Sequence, residues 1–431
     1  MTEKQTGCPL AYRILEELTL KNRNFCSTDY DYSLEFLQQY LPFQLHEYRD
    51  TPYKGWEIPP KWDLIQATIV KDGQILLDAK HPLEVISLSK SFTGSVSLEE
   101  LKKHLFFDQR YPQRIPYHFR QLYRPWERDW GFCVTKEFYD ALSEGNYEIE
   151  IKTKESPGYL KIAEYVKKGK HPEGFAFVAH LDHAGMANDD LAGVAVGVEL
   201  LQKLSMHETK YTYRLILVQE IIGSVYFLDH TLADTPILGS CFLEMLGSNS
   251  QLALQESRSG TNYLEQILEK QLQENGASYR KGPFRSIICN DEAVWESHNI
   301  PMASLSRYPY PEYHTNADNL SIISREALSE AIHVLYTTAL QLDRAVLIEK
   351  RFEGVYCLSN PEYQLYVDPG QPAFDKCVPE DILKLRRLMD EMSLLGKYTF
   401  VEELAGRVGL PFDKTMSYLM QWEKKGLIAI I

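Results

Sequence analysis

The chain has 431 residues, of which 44% are hydrophobic and 25% charged, and its formal net charge at pH 7 is −14. A chain of this length and composition can bury large cores and is expected to form two or three domains. The acidic balance disfavours nucleic acid or an anionic membrane as the main partner.

Cysteine usage and hydropathy predict where the protein works. The seven cysteines are scattered without a close pair, which is typical of reduced thiols in a reducing compartment. No stretch of sequence approaches the roughly 18 apolar residues that a membrane span requires. The first residues lack the continuous apolar segment of a signal peptide. We therefore expect a cytoplasmic protein that does not associate with membranes.

The chain begins with two predicted helices, at about residues 9–22 and 31–41. Residues 55–149 then show short alternating patterns that are typical of strands. The runs at 64–70 and 74–77 are separated by an Asp-Gly pair, which is a strong hairpin signal. Further aromatic, strand-like segments lie at 115–117, 130–133 and 147–151. We interpret residues 55–149 as a small β-rich domain inserted into the chain.

Residues 150–368 alternate strand and helix patterns. Strands are predicted at 175–179, 214–219 and 240–244, and helices near 191–204, 261–275 and 325–347. This alternation predicts an α/β fold with a mainly parallel sheet and helices on both faces. The two N-terminal helices are expected to pack on the same core, which would then comprise residues 1–54 and 150–368.

The C-terminal residues 379–431 form a third predicted unit, after a linker at Pro369–Pro372. Helices are expected at about 380–395, 400–408 and 412–425, and a strand at 426–431. This is the order of a winged helix. Between Glu380 and Lys425 there are eight cationic and eight anionic side chains. A net charge of zero is poorly suited to binding phosphates, so a structural or dimerisation role is favoured over DNA binding. Whether the chain forms a homo-oligomer stays open.

Imidazoles and carboxylates follow the first strand of the α/β region. His180-Leu-Asp-His183 comes directly after the buried strand at 175–179, and Asn188-Asp-Asp-Leu-Ala-Gly193 opens the next helix. Ligands of open α/β sheets bind at the carboxyl ends of the strands. The segment is therefore either a metal site or a polar turn.

The later strand ends supply further polar groups. Glu220 ends one apolar strand, Glu244 ends the next, and His314 lies in a loop ahead of the last long helix. A hydrolytic zinc site needs histidine and carboxylate ligands, an open position for water and a carboxylate base. These residues predict such a site.

Five segments in this order resemble the zinc exopeptidases of the aminopeptidase and glutamate-carboxypeptidase type. They are His180-Leu-Asp182, Asp189-Asp-Leu-Ala-Gly193, Gln219-Glu220, Glu244-Met-Leu-Gly247 and Tyr313-His-Thr-Asn-Ala-Asp318. The whole chain resembles more closely an aminopeptidase-like subfamily that has an inserted small domain and a C-terminal winged helix. The resemblance implies a phosphorylase/hydrolase-like core that binds one or two zinc ions.

The resemblance also implies roles for single residues. His180 and His314 would each bind a metal, Asp189 would bridge two metals, and Asp182 would orient His180. Glu244 stands where the family has an aspartate and offers the same oxygen ligand one methylene further out.

The family has two adjacent glutamates where this chain has Gln219 and Glu220. Glutamine cannot take a proton from water, so Glu220 could be the catalytic base or a metal ligand. We favour the base, with Asp182 in support, and count Glu220 with His180, Asp189, Glu244 and His314 in the predicted metal-binding set. His183, Asp291 and Glu292 are candidate substrate contacts.

The leading hypothesis is a zinc-dependent aminopeptidase that hydrolyses N-terminal peptide bonds or small amide bonds with metal-activated water. A second hypothesis is an amide hydrolase or transferase that acts on a metabolite or sugar. A third is a ligand sensor with a degenerate peptidase fold and the winged helix as its output.

Overall fold

The computed structural model describes residues 9–232, 236–260, 262–368 and 379–431. The chain divides into two compact units, Met1–Thr338 (unit 1) and Ala339–Ile431 (unit 2). The predicted linker at Pro369–Pro372 lies outside the described residues. The finer division into a core, an insertion at 55–149 and a winged helix at 379–431 stays a prediction.

Unit 1 contains most of the helices and strands. The helices are α1 (Pro9–Leu18), α2 (Thr28–Leu37), α3 (Leu98–Lys103), α4 (Arg120–Tyr123), α5 (Lys136–Ala141), α6 (Gly193–Ser205), α7 (Ile222–His230), α8 (Tyr263–Glu274), α9 (Glu292–Ser297) and α10 (Arg325–Leu342), the last of which continues past Thr338. The strands are β1 (Gln44–Tyr48), β2 (Lys61–Lys71), β3 (Gln74–Asp78), β4 (Phe92–Ser97), β5 (Leu105–Phe106), β6 (Phe132–Cys133), β7 (Asn146–Ser156), β8 (Leu160–Lys167), β9 (Gly174–His180), β10 (Thr212–Val218), β11 (Ile237–Glu244), β12 (Leu252–Gln255), β13 (Tyr279–Gly282) and β14 (Met302–Ser306).

An eight-stranded mixed sheet dominates unit 1, in the order β1-β8-β10-β9-β11-β14-β12-β13. The four neighbouring strands β10, β9, β11 and β14 are mutually parallel, as is the pair β12 and β13. Strands β1 and β8 add to the sheet antiparallel, and β12 pairs antiparallel with β14. The strands predicted at 175–179, 214–219 and 240–244 are confirmed as β9, β10 and β11.

Strand β9 lies at the centre of the sheet because its sequence is apolar on both faces. All seven of its residues are buried, and it pairs in parallel with a strand on each side. Its last residue, His180, is in register with Val218, the last residue of β10. Glu244, the last residue of β11, is in register with Ser306, the last residue of the neighbouring strand β14. The polar segments that follow these strands therefore begin at one edge of the sheet.

A second sheet has the order β3-β2-β7-β4 and is antiparallel throughout. The predicted hairpin is present: Asp72 and Gly73 both have positive φ, at 52° and 77°. The strand predicted at 115–117 is wrong. This segment makes a single bridge, from Pro116 to Thr315, because its backbone polar groups pair with the loop that contains Thr315 rather than with a sheet.

Unit 2 contains β15 (Leu347–Lys350), α11 (Glu380–Leu394), β16 (Tyr398–Phe400), α12 (Val401–Val408), α13 (Phe412–Lys424) and β17 (Ile428–Ile430). Strand β15 lies between β16 and β17 in an antiparallel sheet. The helices pack through an apolar core in which Leu404, Leu419 and Trp422 are fully buried. The helices and last strand expected in this region are thus present.

Within the part of the chain that the structure describes, no helix combines the length and apolarity that crossing a membrane would require.

At Gly174, the first residue of β9, the backbone of β10 approaches closely. A Cβ atom at this position would lie 1.8 Å from the backbone oxygen of Thr212. We expect Gly174→Ala to lower the free energy of unfolding by about 1–3 kcal/mol or more, because backbone must move. Gly406→Ala is the control: apart from its chain neighbours and the backbone of its own helix, no atom lies within 4 Å of the added Cβ, and alanine should stabilise α12 by about 0.5–1 kcal/mol. Urea unfolding measures both, and equal stabilities of the two variants would contradict the packing described.

Candidate metal centre

Three side chains from two loops converge at the carboxyl edge of the sheet. Nε2 of His314 lies 3.0 Å from Oδ2 of Asp189, and Nε2 of His183 lies 3.9 Å from the same oxygen. His183 and Asp189 are almost fully buried, whereas His314 is about a quarter exposed. Among the described residues, this is the only group of three histidine, cysteine or acidic side chains whose ligand atoms all lie within 4.8 Å of one another.

The atoms in this cluster fit a shared metal ion. Oδ2 of Asp189 and Nε2 of His314 are buried and have no hydrogen-bond partner, although they lie 3.0 Å apart. Two nitrogens and one oxygen are a donor set that zinc accepts, and two ligands of a tetrahedral zinc lie about 3.4 Å apart. The cluster of His183, Asp189 and His314 can therefore hold a zinc ion with a fourth position open.

The charges in the cluster favour the ionised form of Asp189. Burial acts to raise the pKa of Asp189, but His183 and His314 reverse this effect and bring it to about 2. Burial acts to lower the pKa of His183, but Asp189 and Asp182 raise it above its ordinary value. His183 thus lies in a negative environment, which also attracts a cation.

The backbone at the cluster is held in unusual conformations. His183 and His314 have φ values of 96° and 56°, in the left-handed region that non-glycine residues rarely adopt. Ile221, after β10, and Met245, after β11, have φ values of 61° and 53°. Such residues cost about 1–3 kcal/mol each and are concentrated at functional sites, where the surrounding structure holds them.

Asp318 holds the loop that carries Asp189. Its carboxylate accepts hydrogen bonds from the backbone N–H groups of Ala187 (3.1 Å), Asn188 (2.6 Å) and Asp189 (3.0 Å). The hydroxyl of Tyr310 donates a fourth hydrogen bond at 2.6 Å. A buried carboxylate with four donors fixes this loop next to the segment that contains His314.

Asp190 and Asn188 connect the same loop to the sheet. Asp190 accepts hydrogen bonds from the backbone N–H groups of His180 (3.0 Å) and Met245 (2.8 Å), at the ends of β9 and β11. Oδ1 of Asn188 accepts from the N–H groups of Gly247 and Ser248. The carboxylate of Asp190 thus joins two strand ends.

Arg23 also supports the loop, a role that no pattern in the sequence predicts. It is fully buried and donates to the carbonyl oxygens of Leu181 (3.1 Å), His183 (2.7 Å) and Met186 (2.9 Å). Burial lowers its pKa to about 10, with nearby Asp182 acting in the opposite direction. A buried guanidinium with these partners fixes the backbone around His183.

His180 is placed differently from the role that the resemblance implies. Its Nε2 lies 2.6 Å from Oδ2 of Asp291, and both side chains are buried. The same oxygen of Asp291 accepts the N–H of Ile221 at 3.0 Å. The three-residue cluster contains His183, which we predicted as a substrate contact, where the resemblance implies His180. Asp291, also a predicted substrate contact, lies beside His180 with its Oδ1 unpartnered.

The two predicted catalytic residues lie next to each other. Asp182 accepts the backbone N–H of Glu220 at 2.9 Å, and its Oδ2 lies 3.6 Å from Nδ1 of His183. Burial raises the pKa of Asp182 to about 6, against the effect of His183. Oε2 of Glu220 accepts a hydrogen bond from the hydroxyl of Tyr123 and lies 4.0 Å from Nε2 of His183. Glu220 is therefore at the rim of the cluster, in contact with one of its imidazoles.

Glu244 and Glu292 belong to a buried polar network behind the cluster. Oε1 of Glu244 accepts a hydrogen bond from Asn290, and its Oε2 has no partner. Glu292 accepts from the side chains of Gln255 and Ser304 and from the backbone of Asn290. Burial raises the pKa of both glutamates above the ordinary value. The structure thus brings Asp189 and His314 of the predicted metal set together and leaves Glu244 outside the three-residue cluster.

Aromatic side chains from residues 115–123 cover the cluster, and sequence reasoning missed them. The ring of Tyr117 lies 5.7 Å from that of His183 and 5.4 Å from that of His314. The ring of Phe119 lies 5.1 Å from His314. The only signal was the aromatic content of residues 115–117, which we interpreted as a strand.

Comparison with known proteins identifies the domain. A family model described as a domain of unknown function, DUF4910, matches residues 12–345. A protein of Clostridium acetobutylicum is 26% identical over 423 residues, which is 95% of this chain and 86% of that protein. It is provisionally described as a polysaccharide biosynthesis protein with an aminopeptidase-like domain.

Solved structures share the fold. The crystal structure of a provisionally assigned peptidase from Clostridium acetobutylicum has a TM-score of 0.75 and 23% identity, over 98% of this chain and 96% of that chain. BSAP, a zinc aminopeptidase from Bacillus subtilis, has a TM-score of 0.58 and 16% identity, over 79% and 96% of the two chains. The resemblance to zinc exopeptidases is confirmed at the level of the fold.

The pKa of Asp318 predicts how the stability of the metal-free protein depends on pH. Burial and the charge of Asp189 raise its pKa from 3.8 to about 7, against the effect of Tyr310. Between about pH 4 and 7 the folded state retains a proton that the unfolded state has lost, so the free energy of unfolding should fall as pH rises. In chelator-treated protein, we expect Asp318→Asn to reduce this decline, as measured by urea unfolding across the range. An identical decline in both proteins would contradict this assignment.

Proposed function

The chain belongs to the DUF4910 family and has the aminopeptidase-like, zinc-exopeptidase fold, and on this premise we propose that it is a zinc-dependent hydrolase of N-terminal peptide bonds or small amide bonds. The observation that carries the proposal is the convergence of His183, Asp189 and His314, whose ligand atoms lie within 4.8 Å of one another. This donor set, which is suited to zinc, lies at the carboxyl edge of the sheet, in a fold that the chain shares with zinc aminopeptidases.

The proposed metal ligands are His183, Asp189 and His314. His180 is assigned a supporting role because Asp291 holds its Nε2 and because its own backbone N–H is bound by Asp190. Zinc in such a site supplies Lewis-acid polarisation of a carbonyl group and lowers the pKa of a water molecule.

Glu220 is the proposed general base. Its carboxylate lies at the rim of the cluster, and its backbone is fixed by Asp182. Gln219 cannot compete for this role, since it cannot accept a proton and its buried amide donates to the carbonyl oxygen of Phe25 at 3.0 Å. Oε1 of Glu220 would take a proton from the attacking water and pass it to the nitrogen of the leaving amine.

The proposed substrate carries a free amino group. Oδ1 of Asp291 is a buried carboxylate oxygen without a hydrogen-bond partner. Such an oxygen favours a cationic group, as a protonated N-terminus is, over an anionic or apolar one. This supports an aminopeptidase over a carboxypeptidase specificity.

A second candidate is hydrolysis of an amide bond on a sugar. It is favoured by the description of the Clostridium acetobutylicum relative, which assigns that protein to polysaccharide biosynthesis. The same zinc and base chemistry would serve both substrates. Turnover of N-acyl amino sugars without turnover of aminoacyl anilides would select the second candidate.

For unit 2 we propose a winged helix with a structural or self-association role. Three of its cationic side chains, Lys384, Arg407 and Lys414, form ion pairs with acidic neighbours within the same unit. Paired cations contribute little to phosphate binding.

The basic end of α13 allows a direct test of this role. We expect the full chain and a Lys424→Glu, Lys425→Glu variant to give the same weak signal with labelled duplex DNA at about 50–200 mM salt, measured by fluorescence anisotropy. Salt-dependent binding that the double variant loses would contradict the proposal and support a regulator.

Two variants separate metal binding from catalysis. We expect His314→Ala to bind much less zinc, because one of three ligands is gone. Glu220→Gln should keep its zinc but lose about 10²–10⁴-fold in kcat on an aminoacyl-anilide panel, because the base is gone. Zinc per chain is measured by mass spectrometry, with the exposed His207→Ala as the control. Full zinc in His314→Ala would overturn the ligand assignment.

A further inference from the structure

Residues 115–123 are joined to the loop that carries His314. The backbone N–H of Tyr117 donates to the carbonyl oxygen of His314 at 2.8 Å, and Pro116 bridges to Thr315. Asn316 both donates to and accepts from Ile115, at 2.9 Å in each direction. These contacts keep the segment in register with a proposed metal ligand.

The other side of the segment is held within its own region. The carbonyl oxygen of His118 accepts the N–H of Ser87 at 3.0 Å. Gln121 donates to the carbonyl oxygens of Ser87 (3.2 Å) and Asp129 (3.3 Å), and it is buried. Helix α4, which ends at Tyr123, therefore has a fixed position above the carboxyl edge of the sheet.

Tyr123 reaches Glu220 from this fixed position. Its hydroxyl donates to Oε2 of Glu220, and its ring packs edge-on against Phe25 at 5.3 Å. The ring of Phe119, which itself covers His314, lies 6.0 Å from that of Tyr123. The ring contacts fix the position of the Tyr123 hydroxyl. Because this hydroxyl donates to Glu220, it also fixes the position of the Glu220 carboxylate.

We propose that Tyr123 is a positioning residue that holds the carboxylate of Glu220 towards the metal centre. This rests on the proposed function, in which Glu220 is the base. The side chain of Glu220 is 19% exposed and has several rotatable bonds, so it could otherwise turn to solvent. One hydrogen bond to Oε2 leaves Oε1 free to accept a proton. A base displaced by about 1 Å can lose roughly 10²-fold in rate.

Residues 115–123 lie in the region that is predicted to be an insertion. Residues 115–123 would complete the site by placing one hydroxyl on the base and two aromatic rings against the histidines. The sheet supplies the proposed ligands and the base, and this segment fixes the orientation of the base. Second-layer support of this kind is what keeps a catalytic group within its productive geometry.

Tyr123→Phe removes the hydroxyl and keeps the ring. We expect kcat to fall about 10- to 100-fold while KM and zinc content stay within about twofold of the wild type. In a Glu220→Gln background the same substitution should change kcat by less than twofold, because the two residues act as one unit. Tyr159→Phe is the matched control, since it removes a hydroxyl that donates to Asp31 at 2.6 Å on another part of unit 1.

Crystal structures of the wild type and of Tyr123→Phe provide a readout that does not depend on activity. We expect the Glu220 carboxylate to leave its position in the variant while His183, Asp189 and His314 keep theirs. An unmoved carboxylate, or a kcat within twofold of the wild type, would overturn the proposal. Loss of zinc in Tyr123→Phe would also overturn it, because the role would then be structural.

Failure of the proposed function gives a different result. A zinc-loaded wild type that turns over neither aminoacyl anilides nor N-acyl amino sugars would remove Glu220 as a base for these substrates. The orientation of Glu220 in the two crystal structures would still decide whether Tyr123 holds it.

Discussion

The parallel pairing of β9 with β10 and β11 is the constraint on which the candidate site depends. Parallel strands that share a register end at one edge. Here His183 and Asp189 follow β9, Glu220 follows β10, and Glu244 is the last residue of β11. The pairing is stabilised by burial of apolar side chains on both faces of β9. Polar groups up to about 60 residues apart in the sequence, from His183 to Glu244, thus lie at the same edge of the sheet.

Buried carboxylates then stabilise backbone that would otherwise be unfavourable. Three non-glycine residues with positive φ, His183, Ile221 and Met245, follow these strands, at a cost of about 1–3 kcal/mol each. Asp318 accepts four hydrogen bonds and Asp190 accepts two, and Arg23 donates to three carbonyl oxygens of the same loop. These hydrogen bonds hold a strained loop so that it presents His183 and Asp189 in one arrangement.

Much of the fold could be predicted from the sequence, because apolar runs and helical spacing are local signals. The three central strands, the long helices and the Asp-Gly hairpin were predicted correctly. Residues 115–117 were not, because their partner is a loop two hundred residues away. Asp189 and His314 could be recognised by motif. The choice between His180 and His183 could not, because it depends on the left-handed backbone of His183 and on Asp291, which binds His180 from a distant segment. Tyr123 and Arg23 act through long-range contacts that leave no pattern in the sequence.

The central claim is that His183, Asp189 and His314 form one zinc site. Anomalous X-ray scattering at the zinc absorption edge, from crystals of zinc-supplemented protein, tests it most directly. We expect a single strong peak within about 2.0–2.2 Å of Nε2 of His183, a carboxylate oxygen of Asp189 and Nε2 of His314. A peak coordinated by His180 and Glu244, or no peak at the carboxyl edge of the sheet, would contradict the account.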